Sequence, residues 1–236
     1  MIRNKGLTLI ECLLSMALML LTAMAGLEAF SVSRRVYASL QKKEEAGRAA
    51  GAALDKMKSD LASAGEGLVR EIRLGAVKAV EGSAEGITIL SREEDLSLAQ
   101  DAAEGQSSII LGSTEGLKAG REICLSGPGK ADMLMIAAVE GGGVVLSSPL
   151  AHSYTRDEAD LCTIRRVSYF LDDSTGIIRR RVNAGSAQPL LEGASMFDCG
   201  FQEAGNIAVI RIRLSDDEEK TYEITYFPKN AGLAAA

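Results

Sequence analysis

The strongest constraint on this chain lies in its first thirty residues. From residue 7 to residue 27 nearly every side chain is apolar or small, about the twenty needed to cross the hydrocarbon core of a bilayer as one helix. The six residues before this run, Met-Ile-Arg-Asn-Lys-Gly, are a short basic stretch, and Arg3 and Lys5 carry the positive charge that holds such an end in the cytoplasm. The chain beyond is therefore expected on the far side of the membrane. A single carboxylate, Glu11, interrupts the run. At membrane depth an ionised carboxylate costs about 3 kcal/mol on insertion scales, and such a group usually marks function. A secretory signal peptide would have Ala23-Met24-Ala25 as its small-x-small cleavage site, and a plain signal anchor needs no site. Neither reading explains Glu11, nor the glycine between the basic residues and the apolar run.

The arrangement Lys5-Gly6-Leu7-Thr8-Leu9-Ile10-Glu11 resembles the class III signal of type IV pilins and type II secretion pseudopilins. The resemblance implies that a prepilin peptidase cuts between Gly6 and Leu7, that the new terminus at Leu7 is N-methylated, and that Glu11 serves filament assembly. Leu7 stands where the family usually carries Phe. In the family this glutamate is thought to pair with the N-terminal amine of a neighbouring subunit. A carboxylate stranded in apolar surroundings is costly alone and tolerable when paired, so its charge acts as a register device for docking. The implied fold class is α+β and pilin-like: a long N-terminal helix, membrane-spanning in its first half, packed on a mainly antiparallel β domain. The corresponding divisions are a leader at 1–6, a transmembrane and filament-core segment at 7–30, an amphipathic helical continuation at 31–66 and a globular domain at 67–236.

The residues support the helix independently. Val36, Leu40, Gly47, Ala50, Leu54, Met57, Leu61 and Ala64 recur at helical spacing among charged residues, the pattern of one narrow apolar face. No proline lies between Leu7 and Ala64, so one helix can cover the whole stretch, and Gly65 and Gly67 supply its stop. A coiled-coil dimer seam is the competing reading of the stripe.

Beyond Gly67 the pattern changes to short alternating runs between Gly-rich turns. Strands are expected at 87–90, 108–111, 122–126, 133–139, 144–147, 163–171, 177–182, 196–202, 207–214 and 221–227. The clearest hairpin is the last, with Ile210, Ile212 and Leu214 alternating with Arg211 and Arg213, then Tyr222, Ile224 and Tyr226 alternating with polar residues. A second joins Val167–Leu171 to Ile177–Arg181 through Asp172-Asp173-Ser174-Thr175-Gly176. The segments "RRVSYFLDDSTGIIRRRV" and "PLLEGASMFDCGFQ" look like the minor pilins of the large W type and the J-type minor pseudopilins. That likeness implies a minor subunit that joins others to initiate or cap a filament.

Chemistry is sparse. Cys12 lies in the apolar run, and the remaining cysteines fit no zinc pattern. Outside the cytoplasm, a Cys124–Cys162 disulfide with a spare thiol at Cys199 is one expectation; three buried thiols is the other. His152 is the sole histidine and no serine sits in a nucleophile elbow, so no catalytic residues, cofactor or metal are expected. Gly127-Pro128-Gly129-Lys130-Ala131 lacks the first glycine and the final Ser or Thr of a phosphate loop. The acidic groups Asp172-Asp173 and Asp216-Asp217-Glu218-Glu219 lack the ligand order of a calcium loop and read as hairpin tips.

With a net charge of −6, the surface as a whole does not favour nucleic acid. A local exception is Arg165, Arg166, Arg179, Arg180 and Arg181, expected together on one hairpin as a partner or DNA contact, against a reading as charge that blunts a strand edge. The function that the resemblance implies is structural: a minor pilin or pseudopilin of the bacterial inner membrane. Its partners would be other major and minor subunits, the prepilin peptidase, the inner-membrane assembly platform and membrane lipid. The alternatives are a DNA-uptake pseudopilin of a competence system, and a membrane-anchored periplasmic binding protein or enzyme.

Overall fold

The structure, a computed structural model, describes residues 9–83, 86–202 and 206–231. Its first element, α1, runs Leu9–Ala62 without interruption over 54 residues. The chain divides into two compact units, 1–48 and 49–236, and α1 runs through the boundary. In the first unit the apolar side chains are exposed, and none of the membrane-length apolar window is buried. Among the described residues α1 is the one helix long and apolar enough to cross a membrane. Val36 and Leu40, the first members of the expected stripe, are exposed as well. The stripe becomes a buried face only in the second unit, at Ala50, Ala53, Leu54, Met57 and Leu61. The helix gives way to a turn at Gly65 and Gly67, whose φ values of 68° and 72° are left-handed. A Cβ on Gly65 would also stand 2.8 Å from Ile72 Cδ1, so the stop requires glycine for both conformation and space.

A short helix, α2 (Val69–Arg73), follows, and the rest is antiparallel β. The strands are β1 (Val80–Ser83), β2 (Gly86–Leu96), β3 (Ser108–Ile110), β4 (Glu122–Gly127), β5 (Lys130–Glu140), β6 (Gly143–Leu146), β7 (Asp160–Asp172), β8 (Ile177–Val182), β9 (Gln188–Leu191), β10 (Ala194–Gln202), β11 (Ile207–Leu214) and β12 (Asp217–Tyr226). A nine-stranded sheet runs β1-β2-β7-β4-β5-β6-β3, with β8 paired to β7 and β9 to β8. Thirteen-residue β7 is its organiser. One edge pairs with β2; the other meets β4 through residues 160–164 and β8 through residues 167–172. At Gly86 the backbone of β2 passes so close to β7 that a Cβ would meet the Tyr169 carbonyl oxygen at 1.9 Å. The expected strands are present, but β2 extends six residues past its expected end through a bulge between Arg92 and Asp95. The elements α2, β1 and β9 were not expected.

A separate three-stranded sheet, β10-β11-β12, contains the terminal hairpin. Phe197, Ile212 and Tyr222 stand in one row and Cys199, Ile210 and Ile224 in the next, which makes one apolar face. The alternate rows carry Asp198, Arg211 and Glu223 as a charge ladder, with Arg211 at 3.2 Å and 2.7 Å from the two carboxylates. Elsewhere, residues of β3 to β7 gather with Leu98, Ala102, Leu117, Leu150 and Tyr154 into one hydrophobic cluster.

Within the second unit the helix meets the nine-stranded sheet through more than apolar contact. Asp60 is 4% exposed on the buried face of α1. Its Oδ2 accepts from the Tyr169 hydroxyl at 2.5 Å and from Arg180 Nε at 2.8 Å, while Oδ1 lies 3.4 Å from Lys56 Nζ and 3.9 Å from an Arg165 nitrogen. Burial alone would raise the Asp60 pKa, but the Arg180 and Tyr169 hydrogen bonds and the charges of Arg180 and Lys56 outweigh it and hold the carboxyl below its ordinary value.

Removing one member of a buried ion pair typically costs about 3–5 kcal/mol, because the partners are left unmatched. Asp60→Ala is therefore expected to lower the unfolding free energy of the detergent-solubilised chain by about that much in denaturant titrations. A loss under about 1 kcal/mol would contradict this role. Because the folded pKa is depressed, the stabilisation is complete above the ordinary carboxylate value of about 3.9 and is lost as pH falls through the folded value. Below pH of about 4, the acid dependence of Asp60→Asn should therefore be shallower than that of the native sequence.

Candidate functional site

The expected processing site, Gly6 and Leu7, lies outside the described residues. Glu11 lies in the first turn of α1 as described. It is exposed, and its neighbours Ile10 and Leu14 are 75% and 64% exposed. The Ser15 hydroxyl donates to the Glu11 carbonyl at 2.7 Å, so that polar side chain is satisfied within its own helix. Thr22 and Ser31 do the same toward the carbonyls of Leu18 and Glu28. The segment thus presents apolar side chains around a carboxylate while its hydroxyls are turned onto its own backbone. Such a surface suits an apolar medium or apolar partners. A second carboxylate on the segment, Glu28, was not singled out in the sequence because it lies one residue past the apolar run.

The five arginines do not form one patch. Successive strand residues face opposite sides of a sheet, and the register sends Arg165 and Arg180 to the side that meets α1, with Tyr169, and Arg166, Arg179 and Arg181 to the other. Most are also engaged. Arg166 Nε donates to Glu122 at 2.9 Å and Arg179 Nε to Asp172 at 2.9 Å, while Arg180 serves Asp60. Arg181 is the exposed member; its guanidinium lies 5.4 Å from the Phe170 ring centre and it lines an open groove of about 480 Å³ along β2 and β7. A DNA contact would need these cations on one surface and unneutralised.

The acidic tip at Asp172 has a structural role. The hydroxyls of Ser174 and Thr175 and the Arg179 guanidinium hold its carboxyl down to a pKa of about 2, and the Gly176 amide donates to the Asp172 carbonyl at 2.8 Å to close the turn. Asp217 opens β12 opposite Leu214. Among the described residues no group of three or more His, Cys, Asp or Glu could hold a metal ion. Gly127 and Lys130 pair across the turn that joins β4 to β5, so the glycine-rich stretch there is a hairpin. His152, expected as an exposed loop residue, has its side chain 47% exposed and Nδ1 2.8 Å from Asp132 Oδ1. The other Asp132 oxygen accepts from the amides of Ala151 and His152, which makes the pair a loop clamp.

Cys124 and Cys162 are register partners on β4 and β7, both buried, both thiols. The same part of the fold holds the buried Glu71, which accepts from Ser126 Oγ at 2.7 Å, and the fork of Arg92 onto Asp160 at 3.0 Å and 2.6 Å. Neither feature had a local signal in the sequence.

No family model matches the chain, and no curated protein does. Among solved structures, the Gp54 tailspike of Acinetobacter baumannii bacteriophage AP22, in complex with A. baumannii capsular saccharide, aligns with 33% of this chain and 15% of its own, at 14% identity and a TM-score of 0.29. The tailspike gp49 of Pseudomonas phage LKA1 aligns with 30% and 14%, at 20% identity and a TM-score of 0.26. The tailspike gp61 of Pseudomonas phage phi297 aligns with 31% and 14%, at 14% identity and a TM-score of 0.28. The chain thus spans about one seventh of each tailspike, and likeness at this level carries no argument.

The division of the arginines has a direct consequence. Arg180→Ala should destabilise the chain by about 3 kcal/mol in denaturant titrations, since it strands Asp60. Arg181→Ala, which removes an exposed ring contact, should cost no more than about 1 kcal/mol. Equal costs would show that Arg180 is no more than surface charge.

Proposed function

We propose that this protein is a minor type IV pilin or pseudopilin: a structural subunit trimmed after Gly6, anchored in the bacterial inner membrane by the first part of α1, and incorporated into a pilus or type II secretion pseudopilus. The observation that carries this reading is the Gly6-Leu7-Thr8-Leu9-Ile10-Glu11 block at the head of a continuous 54-residue helix whose first part is apolar and exposed. A plain anchor would need the length and the hydropathy, but it would have no use for a carboxylate four residues into the apolar run. The globular unit is consistent with the same reading, since the last turns of α1 are buried against mainly antiparallel β structure.

In this reading α1 works twice. Before assembly its apolar side chains face lipid. On assembly they face the helices of neighbouring subunits, and the Glu11 carboxylate is matched by the free amine of another chain, so that the docked register is favoured over slipped ones. N-methylation at Leu7 keeps that amine cationic. The globular unit then offers its surface to other minor subunits, and no reaction is ascribed to it.

Intact-mass analysis of the membrane form tests the processing directly. A chain beginning at methylated Leu7 is expected; an uncut Met1, or a start at Gly26, would overturn the reading. Glu11→Leu should leave insertion and trimming intact while reducing incorporation into the filament by at least tenfold. Undiminished incorporation would remove the pairing role.

A further inference from the structure

Cys124 and Cys162 face each other across β4 and β7, each 1% exposed. The hydrogen-bond pattern identifies what kind of pair they form. The Arg166 amide donates to Asn183 Oδ1, and the Arg166 carbonyl accepts from the Asn183 amide, so the backbone of Arg166 faces the edge of β7 that carries β8 and β4. Backbone groups alternate along a strand, so Ile164 and Cys162 face the same way. The Cys124–Cys162 pair is therefore of the hydrogen-bonded type, with Cα atoms about 5.5 Å apart, within the Cα range of disulfides, and with Cβ atoms that must draw in from about 5.5 Å to about 4 Å for the bond. Both side chains point to the same face, beside the Glu71–Ser126 contact. The other two cysteines are elsewhere: Cys12 belongs to the first unit and Cys199 to the three-stranded sheet.

We propose that Cys124 and Cys162 are oxidised to a cross-strand disulfide as the chain folds outside the cytoplasm, and that burial of the face that carries them then seals the bond. The reaction is ordinary exchange. The first thiolate attacks a disulfide of an extracytoplasmic oxidant, either an oxidised dithiol protein or glutathione disulfide, and releases one of its sulfurs as a thiol. The second thiolate then attacks the resulting mixed disulfide and releases the other sulfur. The chain loses two protons and two electrons, and the oxidant's disulfide becomes two thiols.

The timing follows from burial. In the folded chain burial pushes the Cys162 thiol up to about 12, with the Arg92 charge opposing it only in part, and pushes Cys124 higher still. Exchange needs an accessible thiolate, so the bond has to form before the face that carries the two thiols is buried. Once formed, it joins the two ends of the segment that carries β5 and β6. The source of oxidant rests on the extracytoplasmic placement proposed above; the pairing itself does not.

The full-length chain in detergent should be reduced, unfolded and returned to native buffer with a mixture of reduced and oxidised glutathione, then alkylated in denaturant and digested. A linked peptide pair containing Cys124 and Cys162 is expected, with Cys12 and Cys199 alkylated. Recovery of Cys124 and Cys162 both alkylated, or linked to Cys12 or Cys199, would overturn the pairing. The same oxidant given to the folded, reduced chain should act at least tenfold more slowly, and equal rates would contradict the sealing step. Chain taken directly from bacterial membranes should already carry the bond. A bond that forms in the refolding mixture but is missing from membranes would overturn formation outside the cytoplasm, leaving the geometry intact.

Discussion

A carboxylate inside a helix–sheet contact is costly unless it is matched, and Asp60 is matched from three directions. Lys56 reaches it from its own helix, Tyr169 from the middle of β7, and Arg180 from β8. These partners lie 4, 109 and 120 residues away in sequence, so the cluster can form only once the helix, the central strand and its hairpin partner are all in place. Apolar burial of Ala50, Leu54, Met57 and Leu61 supplies the general attraction, but Ala and Leu tolerate sliding and rotation. A charged pair with fixed donors does not, and Asp60 therefore sets the register of α1 on the sheet.

That register matters because the helix has two different tasks along its length. Past Ala49 it is part of a β domain, held by apolar burial and by Asp60. Before it, the side chains are exposed and apolar, with hydroxyls folded back onto the helix and a carboxylate near the start. In the proposed reading, the chain presents that segment to lipid and then to neighbouring subunits, and its far end is held in a defined domain. The exposed apolar side chains of the first part of α1 fit that reading, since a helix surrounded by lipid or by other helices is apolar all round.

Much of this could be read directly. The membrane-length helix follows from composition, and the hairpins 167–181 and 207–227 follow from strict alternation around turn residues, as the buried Ile210, Ile212 and Leu214 attest. The missed elements had physical reasons to be missed. β1 carries Gly82 and Ser83 in only four residues, and β9 contains Pro189, tolerated because it is an edge strand. The five residues of α2 are too few for a helical period, and the Leu68 cap makes no side-chain bond. β2 continues through Ser91-Arg92-Glu93-Glu94-Asp95, where charged residues and a bulge hide the alternation. The candidate site was legible where it is local and illegible where it is not. Glu11 stands out against its neighbours, whereas Asp60 looks like one more charge on an amphipathic helix until Tyr169 and Arg180 arrive. The arginines mislead for the same reason: adjacency in sequence suggests one patch, and the two-residue period of a strand separates them onto two faces.

The claim on which the rest depends is that Asp60 and Arg180 act as a pair to fix the helix on the sheet. A double-mutant cycle on the full-length chain, using Asp60→Ala, Arg180→Ala and the double substitution, measures it most directly. Residues in one network couple by roughly 0.5–3 kcal/mol, and a coupling of about 2 kcal/mol is expected here, so that the double variant loses about 2 kcal/mol less than the sum of the two single losses. Additive losses, with coupling below about 0.5 kcal/mol, would mean that α1 is held by apolar burial alone.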